Sequence, residues 1–242
     1  MPRATEAYVF LYVVARDFGF APNPFFGYCT LACCKPKIRS KATVGDWVFG
    51  IAGGKLLKPG NCVFAMRVTE TLSFDAYWSD ERFAAKKPVR NGSRARMLGD
   101  NIYHRASDAD AWQQEDSHHS RPDGQPEQSN VTRDTSTNKV LISKDFRYFG
   151  KSAPEVPMAV FDAIGYENRI GHRKFTETDA EPLLAWYRAT SMKFEGPVVD
   201  DPFQSRQSAS RFSAGTNKVI DEVVGSIGVN YACLEIGRIP AA

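Results

Sequence analysis

The run Tyr8-Val-Phe-Leu-Tyr-Val-Val-Ala15 constrains the fold more than any other stretch of the chain. Its residues are β-branched, aromatic or aliphatic throughout, and none of them has to face water. Such a continuous apolar run predicts a central strand buried on both faces, which needs a covering layer on each side. The chain has 242 residues, enough to bury a core of that kind. The run is also too short to span a bilayer, for which ~20 apolar residues are needed, and it lacks a small-residue cleavage site. The expectation is a protein away from the membrane.

Further elements follow from the pattern. Trp47 to Ile51 and Cys62 to Thr71 read as strands, separated by the Gly53-Gly54 turn. Residues 74–86 read as a short helix with Phe74, Tyr77, Trp78 and Phe83 on its apolar side. Val140 to Ser143 reads as a strand leading into Asp145 to Gly150. Thr176-x-x-Asp179 resembles a capping box and predicts a helix over 178–190. Lys218 to Ser226 reads as a final helix. Two stretches read as loops: 105–138, expected to be an exposed, mobile polar insertion, and 196–217. Neither repeats nor a second core are apparent, so residues 1–242 read as one α+β domain.

The charge pattern bears on partners. Lys35 to Lys58 contains six Lys/Arg and one Asp, Arg82 to Arg96 six Lys/Arg and no acid, and Ser107 to Asp134 seven acids and two Arg. Two basic segments thus hide behind a net charge of only +3. If they shared a face they would attract phosphates. The five cysteines, Cys29, Cys33, Cys34, Cys62 and Cys233, are odd in number and include an adjacent pair. They read as reduced thiols in a cytoplasm rather than a disulfide framework.

Three constellations could carry chemistry. In the first, Ile38-Arg39 precedes Gly45-Asp46-Trp47-Val48-Phe49-Gly50. The glycine allows a tight turn, the aspartate can cap it, and the strand could wall a pocket. The second lies between Phe20 and Arg39. Asn23, held between two prolines, can hydrogen-bond a base edge in two directions. Lys35 and Arg39 are candidate phosphate contacts, and Phe25, Phe26 and Trp47 candidate stacking surfaces. Each has a plainer reading, as rigid turn, solvated cation or core. The third is Asp100-Asn101-Ile102-Tyr103-His104. Asp100, Tyr103 and His104 could supply acid, base and hydrogen-bond donor, with Asp100 orienting His104 and Asn101 contacting ligand. The plainer reading is a strand start with a surface histidine. The cysteine spacing does not suit zinc, and His118-His119 lies in the acidic loop, so neither a metal nor a cofactor is expected. Phosphate-loop, serine-elbow and zincin motifs are absent from the sequence.

The Gly45–Gly50 order is similar to the small barrels of the PUA, ASCH and EVE group. The stretch Phe20–Arg39 running on to Trp47, with Gly99-Asp-Asn-Ile-Tyr-His104, Val140-Leu-Ile-Ser and Phe146-Arg-Tyr-Phe-Gly150, resembles the second family of nucleotide modification associated domains. The resemblance covers roughly residues 8–170. It implies a small mixed β-barrel of PUA-like type with peripheral helices. It also implies a nucleotide or nucleic-acid partner, modified DNA included, and a setting among base-modifying enzymes or phage-defence systems. Cys33-Cys34 stands where the family motif has one cysteine, which argues against a unique reactive thiol.

These residues support a nucleotide- or nucleic-acid-binding module that recognises a modified base in an aromatic, basic-flanked pocket. The alternative is an enzyme acting on a modified nucleotide or base through Asp100, Tyr103 or His104. A third reading is a partner of a modification enzyme that docks through the 105–138 loop.

Overall fold

A computed structural model describes residues 6–56 and 58–220. The apolar run forms β1 (Tyr8–Val14). Its alternation decides the layering: Val9 and Leu11 enter one buried cluster, Phe10 and Tyr12 another. Along the chain follow β2 (Cys29–Leu31), α1 (Pro36–Lys41), β3 (Trp47–Ala52), β4 (Cys62–Arg67), β5 (Glu70–Leu72) and α2 (Phe74–Ser79). After a 3₁₀ turn over Glu81–Lys86 come α3 (Arg94–Met97), β6 (Tyr103–His104), β7 (Gln113–Gln114), α4 (Gln128–Asp134), β8 (Val140–Ser143) and β9 (Asp145–Tyr148). Then come α5 (Met158–Ala163), β10 (His172–Thr176), α6 (Glu181–Ser191), β11 (Arg211–Ser213) and β12 (Lys218–Ile220).

The main sheet has five strands in the order β10-β1-β3-β4-β9. Only β1 and β3 pair in parallel, so the chain between them must cross over; that crossover carries β2 and α1. One face of this sheet packs on α5 and α6 through Phe161, Leu183, Leu184 and Tyr187. The other face meets a three-stranded antiparallel sheet, β2-β8-β5. There Cys29, Leu31 and Leu141 join the cluster of Phe10 and Tyr12. Val140 and Ile142 turn the opposite way, onto Phe74, Tyr77, Phe83 and Tyr103. Both faces of β1 are therefore covered, as its composition requires. Among the described residues no helix is long and apolar enough to cross a membrane.

The architecture is mixed α+β, but the described strands close no barrel: β9 and β10 end the five-stranded sheet without pairing with each other. The Gly45-Asp46 turn does form. Gly45 has φ +100°, and Asp46 accepts from the Thr43 and Tyr8 backbone N–H groups at 2.8 and 2.7 Å. Such a turn suits an open sheet as well as a barrel, so it could not decide between them. The span 105–138 is also more ordered than expected. Residues 106–111 and 121–123 are exposed, yet Ser117 to Ser120, Asn130 and Asp134 are buried, and α4 lies within it. The span 196–217 contains β11 and a 3₁₀ turn over Ser205–Gln207. Lys218–Ile220 is strand rather than helix, and the rest of that expected helix, like Cys233, lies outside the described residues. Thr176 and Asp179 do bond each other, Asp179 N–H donating to Thr176 Oγ1 at 3.0 Å and the hydroxyl to Asp179 Oδ2 at 2.7 Å, but they close a turn after β10 rather than cap the helix: α6 begins at Glu181, and its N-cap Ala180 makes no side-chain bond.

Gly99 is held by close backbone approach. A Cβ there would sit 2.2 Å from the Lys86 carbonyl oxygen and 2.7 Å from the Pro88 nitrogen. Backbone yields less readily than a side-chain end. Gly99→Ala is expected to cost about 1–3 kcal/mol, read as a lower urea midpoint at unchanged m value. An unchanged midpoint would contradict that packing.

Candidate functional site

The crossover after β1 brings three distant residues together. Cys34 and Lys35 sit between β2 and α1 with φ of 58° and 43°, a left-handed conformation that non-glycine residues adopt only when their surroundings impose it. Pro36 then starts α1. The Cys34 N–H donates to Asp134 Oδ1 at 2.9 Å, and its carbonyl accepts from Arg39 Nε at 2.8 Å. Asp134, the last residue of α4, receives His119 Nδ1 on Oδ2 at 2.7 Å. His119 Nε2 lies 3.7 Å from Cys34 Sγ. Thiol, imidazole and carboxylate thus stand in series.

The supporting contacts fix this geometry. Asp134 Oδ2 also accepts the Tyr103 hydroxyl at 3.1 Å, which in turn accepts from Gln114 Nε2 at 2.9 Å. The His119 carbonyl takes Asn130 Nδ2 at 2.7 Å and Gln114 Nε2 at 3.1 Å. Phe20 packs on the His119 ring at 4.5 Å between centroids. Arg133, beside Asp134 on α4, reaches Asp134 Oδ1 with Nε at 3.2 Å and Cys34 Sγ with Nη2 at 3.4 Å.

The electrostatics follow from this placement. Burial by itself would raise the Cys34 thiol, but the His119 charge and hydrogen bond, with Arg133, outweigh it and lower its pKa. Burial would lower His119, yet Asp134 and the Cys34 thiolate raise it to about 9. Asp134 is buried, but His119, Arg133 and Arg39 hold it well below the usual carboxylate range. The neighbouring Cys33 differs completely: burial, followed by the Asp134 and Asp100 charges, pushes its thiol far up, and its Sγ points to the Asp100 carbonyl at 3.6 Å. The adjacent pair thus holds one thiol with a lowered pKa and one with a raised pKa.

Cys34 is half-buried and opens onto a cavity of about 450 Å³. Tyr12, Phe18, Phe20 and Phe212 give it aromatic walls, and Arg16, Lys35, Lys37 and Arg133 bring positive charge. The hairpin of β11 and β12 closes one side: Phe212 N–H bonds the His118 carbonyl at 2.7 Å, and Arg16 Nη2 bonds the Asn217 carbonyl at 2.8 Å. His118 also lines the cavity, with Nδ1 on the Ser210 carbonyl at 2.6 Å; burial, then the charge on His119, lowers its pKa to about 3 and keeps it neutral.

Cys33, His119 and Asp134 place donor atoms within 4.8 Å of one another, the spacing of a metal site. Both His119 nitrogens already have protein partners, however, and all three residues are buried, so the set is complete as a hydrogen-bond network and offers no open coordination position.

The residues singled out in the sequence are scattered over the fold. Lys35 lines the cavity, its Nζ 4.3 Å from the centre of the Tyr12 ring. Tyr103 supports Asp134. Arg39 is fully buried, and its guanidinium is spent on backbone carbonyls rather than held out to a phosphate. Asn23 is buried, donating to the Leu98 carbonyl at 2.8 Å and accepting from Lys86 Nζ at 2.7 Å. Asp100 is buried beneath Thr30 and Tyr77 hydroxyls at 2.7 and 2.8 Å, away from the cavity lining. His104 does not meet it; it stacks on Trp78 at 4.0 Å and pairs with Glu115 at 2.9 Å. Asn101 donates to the Tyr77 carbonyl at 2.9 Å. Trp47 packs in the core on Phe49 and Tyr187. Phe25 packs edge-on against Phe26 and is not part of the cavity wall.

Cys34, His119, Asp134 and Arg133 were all missed from the sequence as a set. The usable signal was the cysteine one residue ahead of a Lys-Pro helix start, together with a histidine pair in an otherwise polar segment. In comparisons with known proteins, a family model described as nucleotide modification associated domain 2 matches residues 6–209. No curated protein and no solved structure matches the chain.

Proposed function

Because the chain belongs to the nucleotide modification associated domain 2 family, we propose that it is a thiol-dependent enzyme that transfers or hydrolyses an acyl group on a nucleotide-class substrate. The observation carrying this reading is the Cys34–His119–Asp134 series at the cavity wall. A thiolate paired with an imidazolium, itself oriented by a carboxylate, is the arrangement of nucleophilic catalysis. The thiolate attacks the acyl carbon, forming a C–S bond while the carbonyl electrons move to oxygen. Collapse breaks the bond to the leaving amine or alcohol, which takes the proton on His119 Nε2. Water or a second nucleophile then gives a proton to His119, attacks the thioester and releases Cys34 as thiolate. Arg133 balances the charge of the thiolate before attack and again on its release. Phe212, the half-buried ring of the wall, suits a base, a base–aromatic stack being worth about 1–3 kcal/mol. A family setting of nucleotide modification gives such chemistry a purpose, since an acyl decoration has to be added or removed.

The recognition module without catalysis would use the same walls and charges but would need no activated thiol. Iodoacetamide labelling across pH, with the site assigned by peptide mapping, separates the two. Cys34 is expected to react with an apparent pKa below the ordinary ~8.5 of a free thiol, while Cys33, Cys29 and Cys62 stay unlabelled in the folded protein. A Cys34 that titrates at or above the ordinary value would reject the enzyme reading. For turnover the upper limit comes from His119: above about 9 it loses the proton owed to the leaving group. Alkylation, which needs only thiolate, should persist there as turnover falls.

A further inference from the structure

We infer that the cavity seats the phosphate of a free nucleotide on Arg16, Lys35 and Lys37, beside the Cys34 nucleophile. This deepens the reading of Cys34 as a nucleophile and rests on it. The first observation is an uncompensated charge. Around the nucleophile two negative groups, Cys34 and Asp134, meet three positive ones, His119, Arg133 and Arg39, so nothing there is left over to neutralise further cations. Arg16, Lys35 and Lys37 also line the cavity, and among the described residues no carboxylate lines it with them.

Two of these cations, Arg16 and Lys35, are held in place without being neutralised. Arg16 Nη1 and Nη2 bond the side-chain and main-chain oxygens of Asn217 at 3.2 and 2.8 Å, which fixes its direction and leaves its charge. Its guanidinium lies 5.1 Å from the centre of the Phe212 ring. Lys35 is set against Tyr12 by its left-handed backbone and the proline after it. Burial and the nearby Arg133 both disfavour its charge, with only Cys34 opposing. Arg16 and Lys35 are half-buried and Lys37 is exposed, so the hollow carries a positive potential that no carboxylate in its lining offsets. An anion of charge near −2 suits that potential, and a phosphate monoester has that charge and several acceptor oxygens.

The walls and size point to what carries the phosphate. Tyr12 and Phe20 back the hollow from within the core, and Phe212, half-buried, is the ring of the three that stays accessible to a base. Its volume of about 450 Å³ lies in the range of small-molecule pockets, ~300–1,000 Å³. The β11–β12 hairpin, tied to Arg16 through Asn217, walls the hollow on one side. A single nucleotide fits such a space better than a continuous strand.

The test is protection of Cys34 from iodoacetamide in the full-length protein. The probes are the four nucleoside 5′-monophosphates, the matching nucleosides, inorganic phosphate and a single-stranded oligonucleotide. At least one monophosphate is expected to protect at a tenfold or more lower concentration than its nucleoside, with phosphate protecting weakly. Arg16→Ala and Lys37→Ala should each raise the half-protecting concentration about tenfold; Lys55→Ala, in the same basic run but outside the lining, should not. Equal protection by nucleoside and monophosphate, or none by either, would overturn the phosphate seat while the low-pH reactivity of Cys34 still stands. Protection by the oligonucleotide alone would overturn the free nucleotide as ligand. Loss of the low-pH reactivity itself would instead sink the nucleophile.

Discussion

Asp134→Ala is expected to remove the low-pH reactivity of Cys34 and to lower folding stability by about 3–5 kcal/mol, the usual cost of removing one member of a buried charge network. Asp134 is fully buried and receives four donors: Cys34 N–H, His119 Nδ1, the Tyr103 hydroxyl and Arg133 Nε. Alanine leaves each of them without its acceptor, and a buried unsatisfied donor costs about 1–3 kcal/mol, partly recovered by relaxation. The chemistry fails for a second reason. Without the carboxylate, burial dominates His119, its raised pKa falls, and the thiol loses the cation that lowers it. Since alanine could unfold the chain, Asp134→Asn is the informative companion. It keeps the shape and one acceptor oxygen, removes the charge, and turns an NH2 toward two of the four donors, a smaller loss than alanine's. Its fold should survive while turnover drops by about 10²–10⁴, and the midpoint of Cys34 alkylation should move up in pH. A variant with unaltered alkylation would show that Asp134 does not govern the thiol.

How much of this could be read from the sequence divides along physical lines. The signals that worked were local. The apolar run became β1, the Gly45-Asp46 turn formed, and Thr176 and Asp179 made their reciprocal bonds. Each of those outcomes is set by neighbours in the chain. The site is set by neighbours in space: Cys34 and His119 are 85 positions apart, Cys34 and Asp134 100. Polarity misled in the same way. The segment holding His118 and His119 resembles a solvated loop because it is rich in serine and aspartate, yet those serines and aspartates are what satisfy a buried turn. The motif Asp100 to His104 contains the right residue types, but only burial and direction could show that Asp100 faces Thr30 and Tyr77 while His104 faces Glu115. In the sequence the adjacent cysteines argue against a unique reactive thiol. Their sequence neighbourhood is nearly identical; their surroundings are opposite, with Cys33 buried at the Asp100 carbonyl and Cys34 facing an imidazolium.

Arg39→Met should be almost as damaging to stability as Asp134→Ala, with an expected loss of about 3–5 kcal/mol. Its guanidinium is fully buried and donates to the carbonyls of Cys34, Thr137, Lys139 and Asp134. It therefore clamps the Cys34 turn to the end of α4 and the segment after it. Methionine fills similar volume but leaves those carbonyls facing an apolar chain. The clamp also bears on the site, because the left-handed backbone at Cys34 and Lys35 costs on the order of 1–3 kcal/mol each and must be imposed by its surroundings. Released, the turn should relax and Cys34 Sγ should drift from His119, so alkylation should lose its low-pH component. Arg39→Lys should recover only part of the stability, since an ammonium cannot span the fork of carbonyls. Urea unfolding and alkylation of the same variants decide between a clamp and a ligand contact. A clamp predicts a lower midpoint whether or not nucleotide is present. A phosphate contact predicts an unchanged midpoint in Arg39→Met without ligand, and a loss of nucleotide protection alone; that result would return Arg39 to the binding surface.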